Sequence, residues 1–295
     1  MPRPVVLGLY GLLVLVWSST WVAIKIGLHD TPPLYGAGLR FALAGAGLLV
    51  VARALRRPLR TDPVLATVLA AFPFALSYGL IYWAEQYIPS GLTAVLFGVM
   101  PLYVAALSMV WLREEPVTGR FFAGVAIAIG GLVLAFGESL ALGHEERATL
   151  AAAAVLGAPL FSSIGNIAIK RRGSALDALA LNGWAMLGGG LALLVASAPQ
   201  EDWGAADWTA RAVGALAYLT VFGSMVTFVV LTLLLRELRA VTLSYLPLIL
   251  PFGALAFGWA LEGEPLTAPA VAGAALVGAG LAVAQWGFSA GASGR

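Results

Sequence analysis

The chain has 295 residues, of which 60% are hydrophobic and 11% are charged, with a mean hydropathy of +0.91 and a formal net charge of +2. A soluble domain carries roughly 25% charged residues, so this composition excludes a soluble surface and predicts lipid as the solvent. The absence of cysteine excludes disulfides, thiolate metal sites and cysteine nucleophiles.

Charged and turn residues divide the sequence into ten apolar stretches, each close to the roughly 20 residues that cross a bilayer as a helix. The first stretch is too long for a signal peptide, and no small-residue cleavage site follows it. The predicted fold class is therefore an all-α polytopic membrane protein without a soluble domain. The predicted spans are 5–28, 34–52, 64–84, 89–112, 119–137, 148–170, 176–197, 211–235, 240–261 and 267–288.

Positive residues collect at the cytoplasmic ends of membrane helices and so predict the orientation. With the N-terminus inside, 13 of the 17 Lys and Arg residues fall on the cytoplasmic side. Lys25 and Arg40 are then expected near the outer ends of the first two spans, and Arg147 and Arg211 outside. Both termini are predicted to be cytoplasmic.

The second half of the sequence repeats the first. The segment 115–118 (EPVT) is followed by Gly124 and Gly131, and the segment 264–267 (EPLT) is followed by Gly273 and Gly280, each shifted by 149 residues. A weaker match, shifted by 145, relates the region of Trp17 to Lys25 to that of Ser162 to Lys170. Because five spans is an odd number, the two units, 1–145 and 146–295, are predicted to lie inverted in the membrane around a central cavity, as in alternating-access transporters.

These residues resemble a known family. Residues 17–21 (WSSTW), Pro101 followed by Glu115, and Pro251 followed by Glu264 are similar to the EamA-type drug/metabolite transporters, and the likeness covers nearly the whole chain. Within that family the chain looks like the YddG-like bacterial exporters of aromatic amino acids. The resemblance implies ten helices in two five-helix repeats, a cavity lined by helices 1, 3, 4, 6, 8 and 9, and a place in the bacterial inner membrane.

The first and sixth spans carry matching sets of candidate cavity residues. Trp17, Trp21 and Lys25 share one helical face, and Ser162, Asn166 and Lys170 share another. Aromatic rings suit apolar side chains or an ammonium group, while Ser18, Ser163 and Asn166 suit hydrogen bonds to a polar head. Packing against neighbouring helices remains the alternative for the tryptophans. The side of the cavity formed by Ser162 and Asn166 is expected to be polar, whereas the side formed by Trp17 and Trp21 is expected to be aromatic.

Other spans add further candidates. Tyr78 and Tyr82 share a face with Glu85 on the third span, and Ser224 and Thr227 lie on the eighth. Prolines free backbone carbonyls and bend helices, which marks the fourth and ninth spans beside the cavity. The candidates there are Phe97, Pro101, Tyr245 and Pro247. Lys25, Glu85 and Lys170 are predicted gate residues, with snorkelling at the span ends as the alternative for the lysines.

All 15 acidic residues fall in loops or within one or two turns of a span end, and both histidines are in loops. A buried carboxylate would be the default proton site, so a gradient-driven facilitator is predicted, with a proton-coupled exporter as the alternative. The expected substrates are small neutral or zwitterionic metabolites, above all aromatic and other apolar amino acids, because no fixed charge is expected at mid-depth.

A membrane-embedded enzyme is the hypothesis from another class, and it lacks a buried catalytic pair. No cofactor, metal or nucleic acid is expected. The expected partners are a small-molecule substrate and the lipid bilayer, with the monomer as the functional unit.

Overall fold

The structure is a computed structural model, and it describes residues 1–88, 90–112, 118–136, 146–173, 175–262 and 267–289. Within these ranges the chain is helical and contains no strand. Seven of its helices are long and apolar enough to cross a membrane, and three apolar helices are shorter. The residues Glu115-Pro116 and Glu264-Pro265 of the repeated motif lie outside the described residues.

The helices follow one another with short connections and agree with the predicted spans to within a few residues. They are α1 (Arg3–Leu28), α2 (Pro33–Ala54), α3 (Pro63–Ala84), α4 (Ser90–Phe97 and Met100–Leu107, continued by Ser108–Leu112), α5 (Gly119–Phe136), α6 (Glu146–Arg172), α7 (Ala178–Ser197), α8 (Ala210–Glu237), α9 (Ala240–Leu243 and Leu246–Glu262) and α10 (Ala268–Ser289). A short 3₁₀ turn, Trp203–Ala205, lies between α7 and α8.

Several helix starts are explained by local sequence. The Asp62 carboxylate accepts hydrogen bonds from backbone amides in the first turn of α3, and Asp177 does the same for α7. Thr209 caps α8. Such side chains satisfy amides that have no partner inside the helix. A proline stands in the first turn of α1, α2 and α3, where its missing N–H costs nothing.

The helices around the middle of the bundle are irregular. Residues Ala70–Ser77 of α3 and Val221–Val226 of α8 are wound as π-helix, a local widening that often marks functional positions. The helix α4 is interrupted at Gly98 and Val99, and α9 at Ser244 and Tyr245. These irregularities bend the helices that surround the central cavity.

Proline positions explain the two interruptions. Pro101 and Pro247 each occupy the second residue of the helical segment that restarts after the break, where proline is tolerated. Pro251, which the sequence paired with Pro101, lies inside the continuous second segment of α9. The structural equivalent of Pro101 is therefore Pro247, because it is Pro247 that follows a break.

The repeated glycines lie where α5 and α10 touch. A Cβ atom added to Gly131 would stand 2.6 Å from the carbonyl oxygen of Gly273, and one added to Gly280 would stand 2.5 Å from the carbonyl oxygen of Gly124. Real Cβ atoms do not approach so closely, so only glycine permits this contact. Rising residue numbers in α5 meet falling numbers in α10, and the two helices are antiparallel.

A second glycine contact joins α2 and α7. A Cβ atom on Gly45 would stand 2.7 Å from the carbonyl oxygen of Gly183, and one on Gly190 would stand 2.8 Å from that of Gly38. These helices are also antiparallel. We call the two contacts the glycine seams; in each, one helix comes from the first half of the chain and the other from the second.

Candidate substrate cavity

A central cavity lies between α1, α3, α4, α6, α8 and α9, the six helices that the family resemblance implies. It contains about 710 Å³ of space not filled by atoms, part of it open to the exterior. Its wall is formed by Trp17, Thr20, Trp21, Ile24, Pro73, Tyr78, Ile81, Phe97, Met100, Ser162, Asn166, Phe228, Leu231, Leu243, Leu246, Pro247 and Leu250.

Aromatic rings form one continuous part of this wall. The ring of Trp17 meets that of Phe228 edge-on at 5.5 Å between centroids, and Trp21 meets Phe97 at 5.8 Å. Phe228 also lies 6.1 Å from the ring of Tyr78. The indole N–H groups of Trp17 and Trp21 are buried, and neither has a partner within the described residues. The wall is thus mainly apolar ring surface, and the two indole N–H donors are unused but not accessible in this conformation.

Polar groups are few. Thr20 donates its hydroxyl to the Trp17 carbonyl of its own helix. The hydroxyls of Ser162 on α6 and Ser77 on α3 are hydrogen-bonded at 2.9 Å. Asn166, one turn further along α6, adds an amide to the wall. A side-chain amide offers both donors and an acceptor, so Asn166 is the most versatile polar group on the cavity surface.

Six of the predicted cavity residues lie on the wall: Trp17, Trp21, Tyr78, Phe97, Asn166 and Pro247. The other predicted residues lie elsewhere. Ser163 donates to the Pro159 carbonyl of its own helix at 2.6 Å, and Thr227 donates to that of Gly223 at 2.9 Å. Ser18 packs closely against Gly253 of α9. Pro101 and Tyr245 are buried at the helix breaks, and Ser224 accepts from Arg40.

Tyr82 lines a smaller outer cavity of about 320 Å³ with Ile24, Gly27, Thr31, Gly36, Trp208, Ala212, Leu216 and Leu219. Ile24 lines both cavities. The predicted cavity residues are thus divided between a central cavity, an outer cavity and the packed helix contacts around them.

The predicted gate lysines make equivalent contacts. Lys25 donates to the backbone carbonyl of Glu85, which caps the C-terminus of α3, at 2.5 Å. Lys170 donates to the carbonyl of Leu238, which caps the C-terminus of α8, at 2.8 Å. A cation at a helix C-terminus offsets the partial negative charge there. Both lysines therefore bind a neighbouring helix end rather than reaching freely into water.

Two charged side chains that the sequence places near span ends are buried in the bundle. Arg40, expected near the outer end of its span, is completely buried, and so is Glu85. Neither carboxylate oxygen of Glu85 has a hydrogen-bond partner within the described residues. Position near the end of a span does not imply exposure, because neighbouring helices of the bundle cover both side chains.

Comparison with known proteins assigns the family. The model of the EamA-like transporter family matches the chain twice, over residues 6–137 and 149–285. The chain belongs to the EamA-like transporter family. It is thus a multi-pass membrane protein, and its family and the names of its relatives indicate a transporter rather than an enzyme.

The curated relatives of this EamA protein span nearly its whole length. The transporter YoaV of Bacillus subtilis, described as uncharacterized, is 30% identical over 97% of this chain and 98% of its own. An S-adenosylmethionine/S-adenosylhomocysteine transporter of Chlamydia trachomatis is 29% identical over 84% of this chain and 79% of its own. A known crystal structure shares the fold with a TM-score of 0.81 at 16% identity, covering 96% of this chain and 97% of its own.

Sequence reasoning missed much of the cavity wall of this EamA protein. The largest omission is Phe228, which lies next to the predicted Thr227 on α8 and contacts both Trp17 and Tyr78. The second half of the chain also supplies four leucines to the wall. The expectation of a polar second half was therefore wrong. Leucine and phenylalanine in an apolar span carry no signal that separates lipid contact from cavity contact.

Proposed function

We propose that this EamA-family transporter carries zwitterionic metabolites that bear an aromatic or large apolar group, with aromatic amino acids first among them. The observation that carries the proposal is the ring wall formed by Trp17, Trp21, Phe97 and Phe228, together with the two unused indole donors. Rings bind an apolar or aromatic side chain, and the indole N–H groups with Asn166 bind polar atoms of the head group. This agrees with a YddG-like amino-acid exporter.

The proposed architecture is ten membrane crossings in two inverted five-helix units, 1–145 and 146–295, that enclose the cavity. The glycine seams support it. Gly38 and Gly45 correspond to Gly183 and Gly190 at a shift of 145, and Gly124 and Gly131 correspond to Gly273 and Gly280 at a shift of 149. In both seams the first glycine of one unit meets the second glycine of the other. That reciprocal pattern is typical of a contact across a twofold axis, and antiparallel helices require an axis in the membrane plane.

The proposed mechanism is alternating access by a monomer in the bacterial inner membrane, with both termini cytoplasmic. Both halves of the cavity come from one chain, so a second copy is not needed to complete the site. The helix breaks before Pro101 and Pro247 adjoin the cavity wall and provide bend points for the motion. Transport follows the substrate gradient, since the cavity wall itself carries no ionisable acid or base other than the Tyr78 hydroxyl.

A second substrate candidate is S-adenosylmethionine or a related adenosyl amino acid. The Chlamydia trachomatis relative is named for transport of this compound and its demethylated product. These molecules join an amino-acid head to an aromatic base, so they present the same two chemistries as an aromatic amino acid. The sulfonium cation of S-adenosylmethionine is also suited to the faces of Trp17 and Trp21.

A proton-coupled exporter is the alternative mechanism, and Glu85 favours it. This carboxylate is fully buried, and its oxygens have no partner in the described chain, as expected for a group that takes up and releases a proton. Proteoliposomes with an imposed pH gradient separate the two mechanisms. A facilitator only equilibrates labelled phenylalanine across the membrane, whereas pH-driven accumulation above the outside concentration would establish coupling.

Transport of labelled phenylalanine, tryptophan, leucine and S-adenosylmethionine by proteoliposomes tests the substrate proposal. We expect Trp17→Ala to lower kcat/KM for the aromatic substrates by about tenfold, since an aromatic contact together with its buried area contributes about 1–2 kcal/mol. Trp111→Ala is the matched control, because Trp111 is an exposed tryptophan at the end of α4. The proposal fails if Trp17→Ala, Tyr78→Ala and Asn166→Ala all transport every substrate as the wild type does.

A further inference from the structure

Arg40 is a buried cation that lacks an acidic partner. It lies on α2, and its side chain is completely buried. Its guanidinium donates to the hydroxyl of Ser224 at 2.8 Å, to the carbonyl of Gly223 at 3.0 Å and to the hydroxyl of Tyr82 at 3.2 Å. All three acceptors are neutral. Within the described ranges no carboxylate lies within 4.0 Å of Arg40.

A guanidinium has five N–H groups, and the hydrogen bonds of Arg40 go to neutral hydroxyl and carbonyl oxygens. Burial of a charge without an opposite charge is costly, and inside a membrane protein such a group marks a substrate or ion path. The positive charge of Arg40 is thus incompletely compensated in this structure.

Arg40 stands at the boundary between the two cavities. Its guanidinium carbon lies 5.1 Å from the centre of the Tyr78 ring, and Tyr78 lines the central cavity. On the other side it binds Tyr82, which lines the outer cavity. The two tyrosines are one turn apart on α3, and Arg40 contacts both.

The acids at this end of the bundle are held by other groups. Three of them are buried or half-buried: Glu85, Asp30 and Glu201. Asp30 pairs with Arg211, Glu201 accepts from backbone amides at the start of α2, and Lys25 binds the backbone carbonyl of Glu85. None of these carboxylates lies within 4.0 Å of Arg40 in the described residues, so a substrate carboxylate can pair with the guanidinium without displacing one of them.

We propose that Arg40 binds the carboxylate of the substrate as it passes between the central and the outer cavity. The guanidinium offers a planar pair of N–H donors that matches a carboxylate. The bond to Tyr82 is the longest of its three hydrogen bonds and is the one that a carboxylate replaces. The inference rests on the proposed function. It adds that the substrate carboxylate, rather than its ammonium group, is bound between the two cavities, beside Tyr78 and Tyr82.

The test compares two competitors that differ only in the carboxylate, phenylalanine and phenylalaninamide. Each is used to inhibit counterflow of labelled phenylalanine in proteoliposomes. For the wild type we expect phenylalaninamide to be at least about tenfold weaker, the effect of losing one charge-assisted hydrogen-bonded pair. In Arg40→Gln the inhibition constant of phenylalanine should rise by about tenfold or more, while that of phenylalaninamide stays unchanged.

Two further variants separate binding from a purely structural role. Ser224→Ala removes the acceptor for the Arg40 Nε atom and keeps the charge, so its discrimination between the two competitors should remain. Arg236→Gln is the matched control, because Arg236 is also a partly buried arginine bonded to backbone carbonyls, those of Gly173 and Leu176, and lies away from the cavity wall. Phenylalanine and phenylalaninamide should inhibit Arg236→Gln with the same inhibition constants as the wild type.

The inference is overturned if Arg40→Gln weakens both competitors equally, or if Ser224→Ala loses discrimination to the same extent. If Arg40→Gln does not fold, Arg40→Lys decides. An ammonium group cannot form the paired contact, so phenylalanine alone should weaken, and equal weakening of both competitors would overturn the inference.

Failure of the wild type to transport any amino acid would count against the proposed function alone. Arg40 is then tested by thermal protection of the purified protein with 3-phenylpropanoate, a carboxylate that has no ammonium group. Protection of the wild type and Arg236→Gln, but not of the Arg40 variant that folds, supports the inference. Equal protection of all variants, or protection of none, contradicts it.

Discussion

Two lysines each join the C-terminal ends of two helices. Lys25 binds the C-terminus of α3 and Lys170 binds the C-terminus of α8, so each ties a cavity helix of its own half to a neighbour. Replacing either lysine by methionine removes a charge-assisted hydrogen bond and leaves the carbonyl at the helix end without a side-chain donor. We expect each change to lower the free energy of unfolding by about 1–3 kcal/mol, as measured by thermal or denaturant unfolding of the purified protein.

The effect on access should differ between the two variants. A cysteine introduced at Gly27, which lines the outer cavity and has free space around it, should react faster with a membrane-impermeant maleimide in Lys25→Met than in the wild type. Lys170→Met is the matched control and should leave that rate unchanged. An equal rate in all three proteins would show that Lys25 is structural and does not close the outer end.

Asp30 provides a prediction about pH. The Thr209 hydroxyl donates to its carboxylate at 2.7 Å and Arg211 pairs with it at 3.2 Å, and these two contacts, with the hydrogen bond to Thr209 the larger cause, lower the pKa of Asp30 below its usual 3.8. A carboxylate whose pKa is lowered in the folded state stabilises the protein at pH values above its ordinary pKa. This stabilisation is lost as the pH falls through the folded-state pKa. The melting temperature of the wild type should therefore decline below about pH 4 more steeply than that of Asp30→Asn.

Equal slopes for the two proteins would mean that this tether between the end of α1 and the start of α8 does not survive in solution. Because the Arg211 partner of this pair is exposed, added salt should reduce the difference.

The residues that sequence reasoning placed on the cavity share one property. Trp17, Trp21 and Tyr78 are large aromatics spaced along one helical face, and that pattern is visible in a single helix. Arg40 and Glu85 could not be placed in this way. Their burial depends on which other helices cover them, and the acceptors of Arg40 on α8 are more than 180 residues away in sequence. A local pattern contains no information about that contact.

The glycine seams yield the sharpest prediction about helices. Gly280→Ala and Gly131→Ala each place a methyl group against a backbone carbonyl of the facing helix, and overpacking of this kind costs about 1–3 kcal/mol. The neighbouring Gly278 and Gly130 have open space at the Cβ position. Alanine at those sites should be neutral or stabilising by up to about 1 kcal/mol, since it favours the helix.

Thermal unfolding of the four variants in one detergent makes the comparison. Similar melting temperatures for the seam variants and their neighbours would show that α5 and α10 do not meet as described. Activity in proteoliposomes adds a second measure, because separation of the seam also widens the bundle.

The seams were only half visible in the sequence. Gly124 and Gly131 stood out because their copies follow a repeated Glu-Pro motif, whereas Gly38, Gly45, Gly183 and Gly190 have no such marker beside them. The same seven-residue spacing and the constant shift of 145 would have revealed the second seam.

The equivalence of Pro101 and Pro247 was hidden for a different reason. Three prolines lie in the predicted fourth and ninth spans at or near the helix breaks, and only the observed breaks separate their roles.

At the scale of the whole molecule, the predicted orientation is open to a direct test. The chain has no cysteine, so single cysteines can be introduced without removing others. Leu55→Cys, in the link after α2, should be cytoplasmic, and Ala205→Cys, in the link after α7, should be outside. An impermeant maleimide applied to intact cells should label Ala205→Cys alone, and both sites should react after permeabilisation. Labelling of Leu55→Cys in intact cells would reverse the orientation.

The reciprocal glycine pairing has a consequence for the origin of the molecule. In each seam a glycine of one half meets the non-equivalent glycine of the other half. The distance from an added Cβ atom to the facing carbonyl oxygen is 2.5 and 2.6 Å in the seam of α5 with α10, and 2.7 and 2.8 Å in the seam of α2 with α7. A surface of this kind is complementary to itself. In the proposed inverted arrangement, a single ancestral gene product of half this length, inserted into the bilayer in both directions, would already have possessed both contacts before the two copies were fused into one polypeptide.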